Sequence, residues 1–476
     1  MIQNRRPRSN FALQRAAELA REQGRPLVVL EPLRAGYRWA SDRFHAFVLE
    51  GMCDNRAYFD AHGILYYPYV EPEPGAGKGL LEAFARRAAV VITDDWPCFF
   101  LPRMVAAAGR ALDVRLELVD SCGLLPIHSV DRAMPTAHAF RRLLQRELPA
   151  HFTNVPLAEP VEVLQPAGEV DLPADLVERW PSASDALLEA DPSALAELPI
   201  DHDVVRVAER GGFEQAARRV DEFVARRLGR YEERNQPELE VTSGLSPHLH
   251  FGHVSSHEVF LAVTNELGWS PSDVASTTNG SRSGWWNLPA AAEGFLDQLV
   301  TWRELGFNGA LRIPNATRYE SLPDWARKTL AEHASDPRGH VYDLGTFERA
   351  ATHDELWDAA QTQLVREGWI HNYLRMLWGK KVIEWTASPE EALAILIELN
   401  NKYALDGRDP NSYSGIFWVL GRYDRAWGPE RPIFGKIRYM TSQNTARKVR
   451  VKDYLKRYAP APTEATLFDD GDLPSR

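Results

Sequence analysis

The hydrophobic pattern at the start of the chain alternates between helix-like and strand-like segments. Residues 10–21 carry apolar side chains at helical spacing. Three short apolar runs follow at 26–31, 88–93 and 114–119, and each has the length of a buried parallel strand. This order of helices and strands predicts an open parallel sheet of the Rossmann-like kind, in an α/β domain that we place at residues 1–155.

The start of this domain departs from the usual order of such folds, which open with a strand. Only Met1 and Ile2 precede the loop that leads into the first helix. Either the fold begins with a helix, or its first strand is missing from this sequence. Of the two, we expect a Rossmann-like sheet whose first strand is missing.

The hydrophobic pattern weakens after this domain and then becomes helical. Residues 156–205 are rich in Pro, Glu, Asp and Ala, which predicts an interdomain linker with short helices. We expect a mostly α-helical domain at 206–458 and an acidic, disordered tail at 459–476. Ser388 and Glu391 have the spacing of a capping box at a helix start. Helical spacing is also found at 213–228, 291–305, 355–366 and 369–385.

Composition excludes several classes of protein. The chain has 476 residues, of which 44% are hydrophobic and 25% charged, as in ordinary globular proteins. Its three cysteines lack the spacing of a disulfide framework or a metal site, so we expect no bound metal. An apolar run of about 18 residues and a signal-peptide core are both absent from the sequence, so we predict a cytoplasmic protein without membrane contact.

Charge and tryptophan are distributed unevenly along the chain. The net charge of −11 argues on average against a nucleic-acid partner, but residues 431–457 hold nine Lys or Arg and one acid. Of the 14 tryptophans, 11 lie at or after Trp269. Redox chemistry and stacking on nucleobases both use many aromatic side chains in one region, whereas core packing rarely needs so many tryptophans.

Three motifs in the helical half have both a chemical and an ordinary structural explanation. The hydroxyl-rich segment at 242–252 fits an anion site before a helix, or only a helix cap. Aromatic and basic residues alternate at 413–418 and 431–438, as in a nucleic-acid site or in a core beside solvated charges. Arg375 and Asp406 fit a functional ion pair or a structural salt bridge.

Taken in order, these motifs resemble the photolyase–cryptochrome family, and the later ones resemble its class II branch. The resemblance extends from residue 10 to residue 439 and is strongest after residue 234. It implies an N-terminal α/β domain of the antenna type and a helical domain that binds FAD and DNA. The segments that carry it are TSGLSPHLHFG, WRELGFN, GWIHNYLRMLWGKKVIEW, LNNKYALDGRDPN and RPIFGKIRYM.

The resemblance implies an FAD site in the helical domain. Arg375 and Asp406 would form the ion pair beside the isoalloxazine ring, and Asn400 would hydrogen-bond near flavin N5. Whether an antenna chromophore of the deazaflavin or folate type also binds is left open. The residues that would bind the rest of the cofactor are Tyr231, Thr242, Ser243, Leu245 and Ser246.

A lesion site and an electron route are implied in the same way. The lesion would be held by two clamping tryptophans, a pocket-lining methionine and three residues that contact the damaged strand. These are, in that order, Trp302 and Trp418, Met376, and Arg234, Asn235 and Arg438. Electrons would reach the flavin through Trp378 from Trp357, with Trp385 as a side branch.

Two residues depart from the class II pattern. Gln298 stands where that pattern has a glutamate that contacts the lesion, and Leu377 replaces the tyrosine expected before the proximal tryptophan. A glutamine side chain still donates and accepts hydrogen bonds, but it cannot supply a carboxyl proton. We keep Gln298 among the catalytic residues for that reason.

The function implied by the resemblance is a light-driven lyase that splits cyclobutane pyrimidine dimers in ultraviolet-damaged DNA and works as a monomer. The main rival is a cryptochrome-like blue-light sensor that binds FAD without repair, which Gln298 favours. Repair of (6-4) photoproducts would need a histidine pair, for which His248, His250 and His253 lie near. A DNA-binding module without a cofactor is the remaining alternative.

Overall fold

The structure is a computed structural model and describes residues 1–164 and 170–459. Its N-terminal region alternates strands with helices, and the remainder is helical, which confirms the predicted fold class. The strands are β1 (Val28–Leu33), β2 (Leu65–Val70), β3 (Val90–Asp94) and β4 (Arg115–Val119). The helices of this region are α1 (Phe11–Gln23), α2 (Asp42–Ala61), α3 (Leu80–Ala85), α4 (Leu101–Ala111) and α5 (Ala137–Glu147).

The parallel strands form two pairs instead of one continuous sheet. β1 pairs with β2, and β3 pairs with β4. A cavity of about 800 Å³ separates β1 from β3, and α1 and α4 contribute to its walls. At this gap the Met1 amine donates to the Leu30 carbonyl at 2.8 Å, and the Ile2 N–H donates to Asp94 at 2.9 Å. The described residues therefore do not form one continuous sheet. The expectation that a first strand is missing stays a prediction.

Strand β2 is a strand that the sequence pattern missed. Its residues, LYYPYV, include Pro68, and proline argues against a strand that is paired on both sides. Within the described part of the chain β2 pairs only with β1, so it is an edge strand that tolerates a proline. The Pro68 carbonyl accepts a hydrogen bond from the Ala183 N–H at 2.8 Å, which covers part of that edge.

The segment predicted as a linker contains short helical pieces that pack on the α/β region. These are a 3₁₀ turn (Pro160–Val163), α6 (Ala174–Arg179), α7 (Asp185–Leu188) and α8 (Pro192–Leu195). The Tyr67 hydroxyl of β2, for example, donates to the Trp180 carbonyl at 2.5 Å. The domain boundaries themselves stay a prediction, and the predicted tail lies, from residue 460 onward, outside the described residues.

The helical region carries most of the residues expected at the site. Two π-helical turns interrupt it, at Phe223–Arg227 and at Asp297–Trp302. Its helices are α9 (Phe213–Glu222), α10 (Ser246–His250), α11 (Ser256–Glu266), α12 (Ala290–Leu296), α13 (Arg303–Arg312), α14 (Asp324–Glu332), α15 (Leu344–Glu348), α16 (Glu355–Glu367), α17 (Asn372–Glu384), α18 (Pro389–Tyr403), α19 (Pro410–Val419), α20 (Ser442–Lys448) and α21 (Lys452–Arg457). Further 3₁₀ turns lie at Ile127–Ser129, Leu148–His151, Leu228–Glu233, Pro271–Asp273 and Tyr319–Ser321.

The helix start predicted at Ser388 forms, although its capping box differs in one bond. The Ser388 hydroxyl accepts a hydrogen bond from the Glu391 N–H at 3.1 Å, and α18 begins at the next residue. The Glu391 carboxylate accepts from the Ala387 N–H at 3.0 Å and not from the N–H of the cap residue. One side-chain hydrogen bond thus caps the start of the helix, as an N-cap requires.

Arg43 on α2 joins the α/β region to the helical region. Its buried guanidinium donates to the Val365 carbonyl at 2.6 Å and to the Tyr403 carbonyl at 2.7 Å. These carbonyls lie at the ends of α16 and α18, where a cation is favourable. Burial lowers the pKa of Arg43 to about 10, so the group still carries its charge at neutral pH.

Two features are absent from residues 1–164 and 170–459. No helix there is long and apolar enough to cross a membrane, and no cluster of His, Cys, Asp and Glu is arranged to hold a metal ion. The three cysteines, Cys53, Cys98 and Cys122, are free thiols.

Candidate active site

Helix α17 lies at the centre of the candidate site and packs against α16, α18 and α19. Most residues of its second half are buried on every side, which is typical of a helix inside a domain. Its successive residues therefore reach different partners. Arg375 pairs with Asp406, and Trp378 stacks on Trp357. Lys380 donates a hydrogen bond to the carbonyl of Val419 at the end of α19.

The ion pair between Arg375 and Asp406 is formed. Nη2 of Arg375 donates to Oδ1 of Asp406 at 3.0 Å, and the two side chains are 22% and 16% exposed. The pair is therefore partly solvated and not fully buried. Nε of Arg375 is buried and lacks a hydrogen-bond partner among the described residues. An unused buried donor is costly, so this N–H marks a position where a bound group would accept it.

Asn400 lies buried on α18, near the ion pair in sequence. Its side-chain NH₂ donates to the Ser412 hydroxyl at 2.8 Å and to Oδ1 of Asn401 at 3.2 Å. Oδ1 of Asn401 also accepts the Arg408 N–H at 3.0 Å, which ties α18 to the loop that carries Asp406. These bonds hold the Asn400 amide in one orientation.

The hydroxyl-rich segment at 242–252 makes a tight turn before α10. Gly244 has φ +69°, a conformation that side chains rarely adopt, and the Leu245 N–H donates to the Ser243 hydroxyl at 3.3 Å. Thr242 and Ser243 are half-buried, and Ser246 is exposed. The turn therefore presents hydroxyls and backbone groups to whatever lies next to it.

Two arginines that the sequence did not single out lie against this turn. Arg219 would come within 3.6 Å of a Cβ atom on Gly244, and its buried Nε has no partner in the described part of the chain. Arg227 donates to the Thr242 carbonyl at 3.4 Å. Both guanidinium groups also pair with carboxylates, Arg219 with Glu209 and Arg227 with Glu222 at 2.6 Å. The interpretation of the turn as an anion site therefore stays a prediction.

His371, at the start of α17, was also missed. It is buried, and neither ring nitrogen has a hydrogen-bond partner in residues 1–164 and 170–459. Burial lowers the pKa of His371 to about 4, so the ring is neutral at physiological pH. The motif GWIHNYLRM contains it, but only the packing shows that its polar atoms are unused.

The three tryptophans expected to carry electrons form one continuous cluster. Trp378 and Trp357 are stacked, with ring centroids 6.3 Å apart and planes at 8°. Trp357 and Trp385 meet at 6.1 Å. All three are at most 3% exposed. Trp357 on α16 thus contacts both of the α17 tryptophans, and the expected side-branch role of Trp385 stays a prediction.

The indole N–H groups of Trp378 and Trp357 are satisfied inside the protein. Trp378 donates to Oε1 of Gln361 at 2.9 Å, and Trp357 donates to the Trp378 carbonyl at 2.9 Å. These bonds fix the two rings relative to each other. Trp385 in turn contacts Tyr342 at 5.9 Å, whose hydroxyl is 2.8 Å from Nδ1 of His353.

Trp418 lies at the end of α19 and is only half-buried. Arg438 approaches its ring to 5.2 Å and the Trp427 ring to 4.1 Å. Asp424 accepts two hydrogen bonds from Arg438, at 3.0 and 3.2 Å. Arg438 is thus held beside the tryptophan and is neutralised by Asp424, and its expected role as a phosphate contact stays a prediction.

Gln298 and Trp302 lie on the π-helical turn between α12 and α13, and both are half-buried. Such turns are rare and occur mostly at functional sites. Asp297, at the start of the turn, is anchored by a buried bidentate ion pair with Arg141, at 2.8 and 3.1 Å. Trp302 and Trp418 both pack against the same large hydrophobic cluster, and their pairing as clamp residues stays a prediction.

Arg234 and Tyr231 lie next to this turn. Arg234 stacks on the Tyr231 ring at 5.1 Å and comes within 3.5 Å of a Cβ atom on Gly294 of α12. Tyr231 is buried against Phe295, and burial raises its pKa to about 12. A buried tyrosine in this position supports the wall of the site. The exposed Asn235 follows directly.

Comparison with known proteins supports one family. A deoxyribodipyrimidine photo-lyase of Methanothermobacter thermautotrophicus is 33% identical over 451 residues, which cover 94% of this chain and 91% of that protein. A deoxyribodipyrimidine photo-lyase of Arabidopsis thaliana is 33% identical over 463 residues, which cover 96% of this chain and 87% of that protein. No family model matches the chain.

This chain belongs to the photolyase family. Its fold agrees: a bacterial class III photolyase from Agrobacterium tumefaciens superposes with a TM-score of 0.67 at 17% identity, over 96% of this chain and 84% of that one. The photolyase family generally binds FAD. The unused Arg375 Nε, the fixed Asn400 amide and the turn flanked by arginines fit that cofactor.

The histidines of the hydroxyl-rich segment are used inside the protein. Nε2 of His248 is 2.9 Å from Glu209, Nδ1 of His250 is 3.3 Å from Asp409, and Nδ1 of His253 accepts the Gly212 N–H at 3.0 Å. Burial lowers the pKa of all three. These contacts join separate segments, so the structure gives the histidines packing roles and does not favour an acid–base pair.

Proposed function

We propose that this chain is a class II, light-driven lyase that splits cyclobutane pyrimidine dimers in ultraviolet-damaged DNA with FAD as its cofactor. The observation that carries the proposal is the course of α17. Within six residues it presents Arg375 to the cofactor site, Trp378 to the buried tryptophans, and Lys380 to the half-buried Trp418. One rigid helix thus connects an electron supply, a flavin site and a lesion site.

The chain's own residues would hold the cofactor. Arg375 and Asp406 would flank the flavin ring, Asn400 would hydrogen-bond near its N5, and Thr242, Ser243, Leu245, Ser246 and Tyr231 would surround the rest. FAD, once bound and reduced, would supply the photoexcitable electron donor. Met376, half-buried one residue after Arg375, would line the space between ring and lesion.

The lesion would be held by stacking and by one uncharged donor. Enzymes that act on a base in duplex DNA, photolyases among them, extract it from the stack. Trp302 and Trp418 would stack on the extruded dimer, because aromatic faces bind bases without regard to sequence. The Gln298 amide would donate to a dimer carbonyl, where charge develops during splitting.

DNA binding is supported by the way the basic C-terminal segment packs. Its Arg450 N–H donates to Oε1 of Gln236 at 3.0 Å, and its Asp453 N–H donates to Glu238 at 2.7 Å. The residues that these bonds reach directly follow Arg234 and Asn235. The basic face and the two expected strand contacts therefore lie together, where phosphates would meet both.

The experiment is a repair assay on purified protein with reduced flavin and an oligonucleotide that contains one thymine dimer. We expect dimers to be lost under blue light and not in the dark. An oligonucleotide with a (6-4) photoproduct is the matched substrate control, and we expect no repair of it. Protein that carries no flavin and takes none up, or that repairs neither lesion, would contradict the proposal.

Gln298 supports a second candidate, a cryptochrome-like sensor that binds FAD and does not repair. The two functions differ in one result. A sensor would photoreduce its flavin through the buried tryptophans but leave bound dimers intact. The retained pair of Trp302 and Trp418 favours repair, because a sensor has no need of two half-buried stacking surfaces. A monomeric state, a cytoplasmic location and the domain boundaries given above remain part of this proposal, and whether an antenna chromophore binds stays open.

A further inference from the structure

Lys380 is the least expected charged residue of the site. Its side chain is fully buried, and its ammonium donates to the Val419 carbonyl at 2.5 Å. In the part of the chain that the structure describes it forms no salt bridge, although a buried charge ordinarily has a partner of opposite sign. Neither the cofactor contacts nor the stacking surfaces use it.

The ammonium of Lys380 faces the ring of Trp418, at 5.1 Å from the centroid. Arg438 lies 5.2 Å from the same ring, but Asp424 binds and neutralises it. Of the two positive charges beside the Trp418 ring, that of Lys380 is therefore less compensated than that of Arg438. Because α17 and α19 pack directly, the lysine cannot easily turn away.

The buried tryptophan cluster has a different electrostatic environment. Among the described residues no Lys or Arg lies over the rings of Trp357 or Trp378. Lys381 lies 5.2 Å from the Trp385 ring, but Glu384 pairs with it at 2.7 Å. Two neighbouring lysines of α17, Lys380 and Lys381, thus lie over two different tryptophans. Only Lys381 is paired with an acid.

A cation against an indole face is attracted to the neutral ring and repels the positive charge left after the ring loses an electron. Both effects make that indole harder to oxidise, most strongly where water is excluded. We propose that Lys380 directs electron supply: it opposes oxidation of Trp418, so that the flavin draws electrons through Trp378 and Trp418 stays intact for the lesion. This inference rests on the proposed function.

The step that Lys380 suppresses is a one-electron transfer. The Trp418 indole would give one electron to the photoexcited oxidised flavin and become a radical cation. An added thiol would return one electron to that ring and release its proton, two thiyl radicals would combine to a disulfide, and the flavin would remain reduced by one electron. The same balance holds for the normal route, with Trp378 in place of Trp418.

The experiment first removes electron transfer through Trp378 and then removes the charge of Lys380. In Trp378→Phe protein, blue-light reduction of the flavin in the presence of a thiol should be slow. Adding Lys380→Met should restore it by about tenfold, since a nearby uncompensated charge is worth at least that much in a low-dielectric site. Adding Trp418→Phe as a third change should abolish the gain. Lys381→Met in place of Lys380→Met is the matched control and should restore nothing.

A second readout does not depend on the flavin spectrum. After illumination without thiol, peptide mass spectrometry should find oxidised Trp418 in Trp378→Phe/Lys380→Met protein and little of it in Trp378→Phe protein. If Lys380→Met neither restores reduction nor raises oxidation of Trp418, the inference is wrong while the proposed function stands. If wild-type protein does not photoreduce its flavin at all, both fail.

A pH series tests the charge without changing the lysine. Burial lowers the pKa of Lys380 to about 7, with Asp424 opposing that shift and Arg438 adding to it. These two are the charged groups that face the ammonium. Above this pKa the lysine is neutral, so flavin reduction in Trp378→Phe protein should rise with pH. It should be flat in Trp378→Phe/Lys380→Met protein, and a parallel rise in both would overturn the inference.

Discussion

The two groups of tryptophans in the helical region differ in burial, hydrogen bonding and charge. Trp378, Trp357 and Trp385 are almost fully buried and contact each other at centroid distances near 6 Å. Trp302 and Trp418 are half-buried and lie at the ends of helices. The first group has the environment of an electron relay, which needs close contact between the rings and the exclusion of water. The second has that of a binding surface, which needs an open face.

The difference also shows why one residue type serves two purposes in the same region of the molecule. An indole away from an uncompensated positive charge loses an electron more easily than one against a lysine. An indole with an open face stacks on a base, which a buried one cannot do. The surroundings therefore assign the role, and substitutions that exchange or remove those surroundings test the assignment.

The largest effect is expected from Trp378→Phe. Phenylalanine keeps the shape but is much harder to oxidise, so blue-light reduction of the oxidised flavin should slow about a hundredfold, or about 2.7 kcal/mol in activation free energy. The measurement is the rate of flavin bleaching at fixed light intensity. Trp369→Phe, a partly exposed tryptophan just before α17, is the control and should behave like wild type. Equal rates in both variants would make Trp378 a packing residue.

Trp418→Ala should affect lesion binding instead. Loss of one stacking surface costs about 1–3 kcal/mol, so affinity for a dimer-containing oligonucleotide should fall about 30-fold at the centre of that range. Binding is measured in the dark by fluorescence anisotropy, with the undamaged oligonucleotide as reference. A fall that is equal for damaged and undamaged DNA would show that Trp418 does not read the lesion.

Asp406→Ala tests the ion pair between Arg375 and Asp406. Arg375 would keep its charge and lose its partner at a site that is only partly solvent-exposed, at a cost of about 1–2 kcal/mol after allowance for solvent screening. We expect a lower FAD-to-protein ratio after purification and a lower melting temperature. Asp406→Asn, which keeps a hydrogen-bond acceptor, should lose less FAD. Full FAD content in Asp406→Ala protein would show that the ion pair does not contribute to FAD binding.

The smallest effects are expected at Gln298. An amide donor does not titrate, so the repair yield should show no step attributable to this position as pH is varied. Gln298→Leu should lower the yield by removing the donor. Gln298→Glu should lower it progressively as pH rises through the new carboxyl group's pKa, because only the protonated acid donates. Repair that appears only in Gln298→Glu would indicate a sensor whose repair activity was lost.

Much of this arrangement follows from the sequence, where local rules apply. Helical spacing and the Ser388 cap predicted α16, α17 and α18 to within a few residues. The pairing of Arg375 with Asp406 was expected from motifs 31 residues apart and is seen at 3.0 Å. In both cases the determining interactions are between neighbours on a helix or between residues that the resemblance already assigns.

Other features depend on packing between distant segments, and sequence patterns do not report it. The π turn beneath Gln298 is held by Arg141, which is 156 residues from its partner Asp297. Lys380 resembles any helical lysine until the end of α19 covers it. The gap between β1 and β3 replaces a continuous sheet for the same reason, because strand pairing is a long-range property.

The central claim is that this chain repairs pyrimidine dimers with light, and one measurement tests it most directly. Dimers lost per absorbed photon should be counted for wild-type and Trp378→Phe protein whose flavin has been chemically reduced beforehand. The account predicts repair by both proteins, with none in the dark, because the buried tryptophans only supply electrons to oxidised flavin. Protein that binds the dimer and holds reduced flavin, yet splits no dimers under blue light, would contradict it.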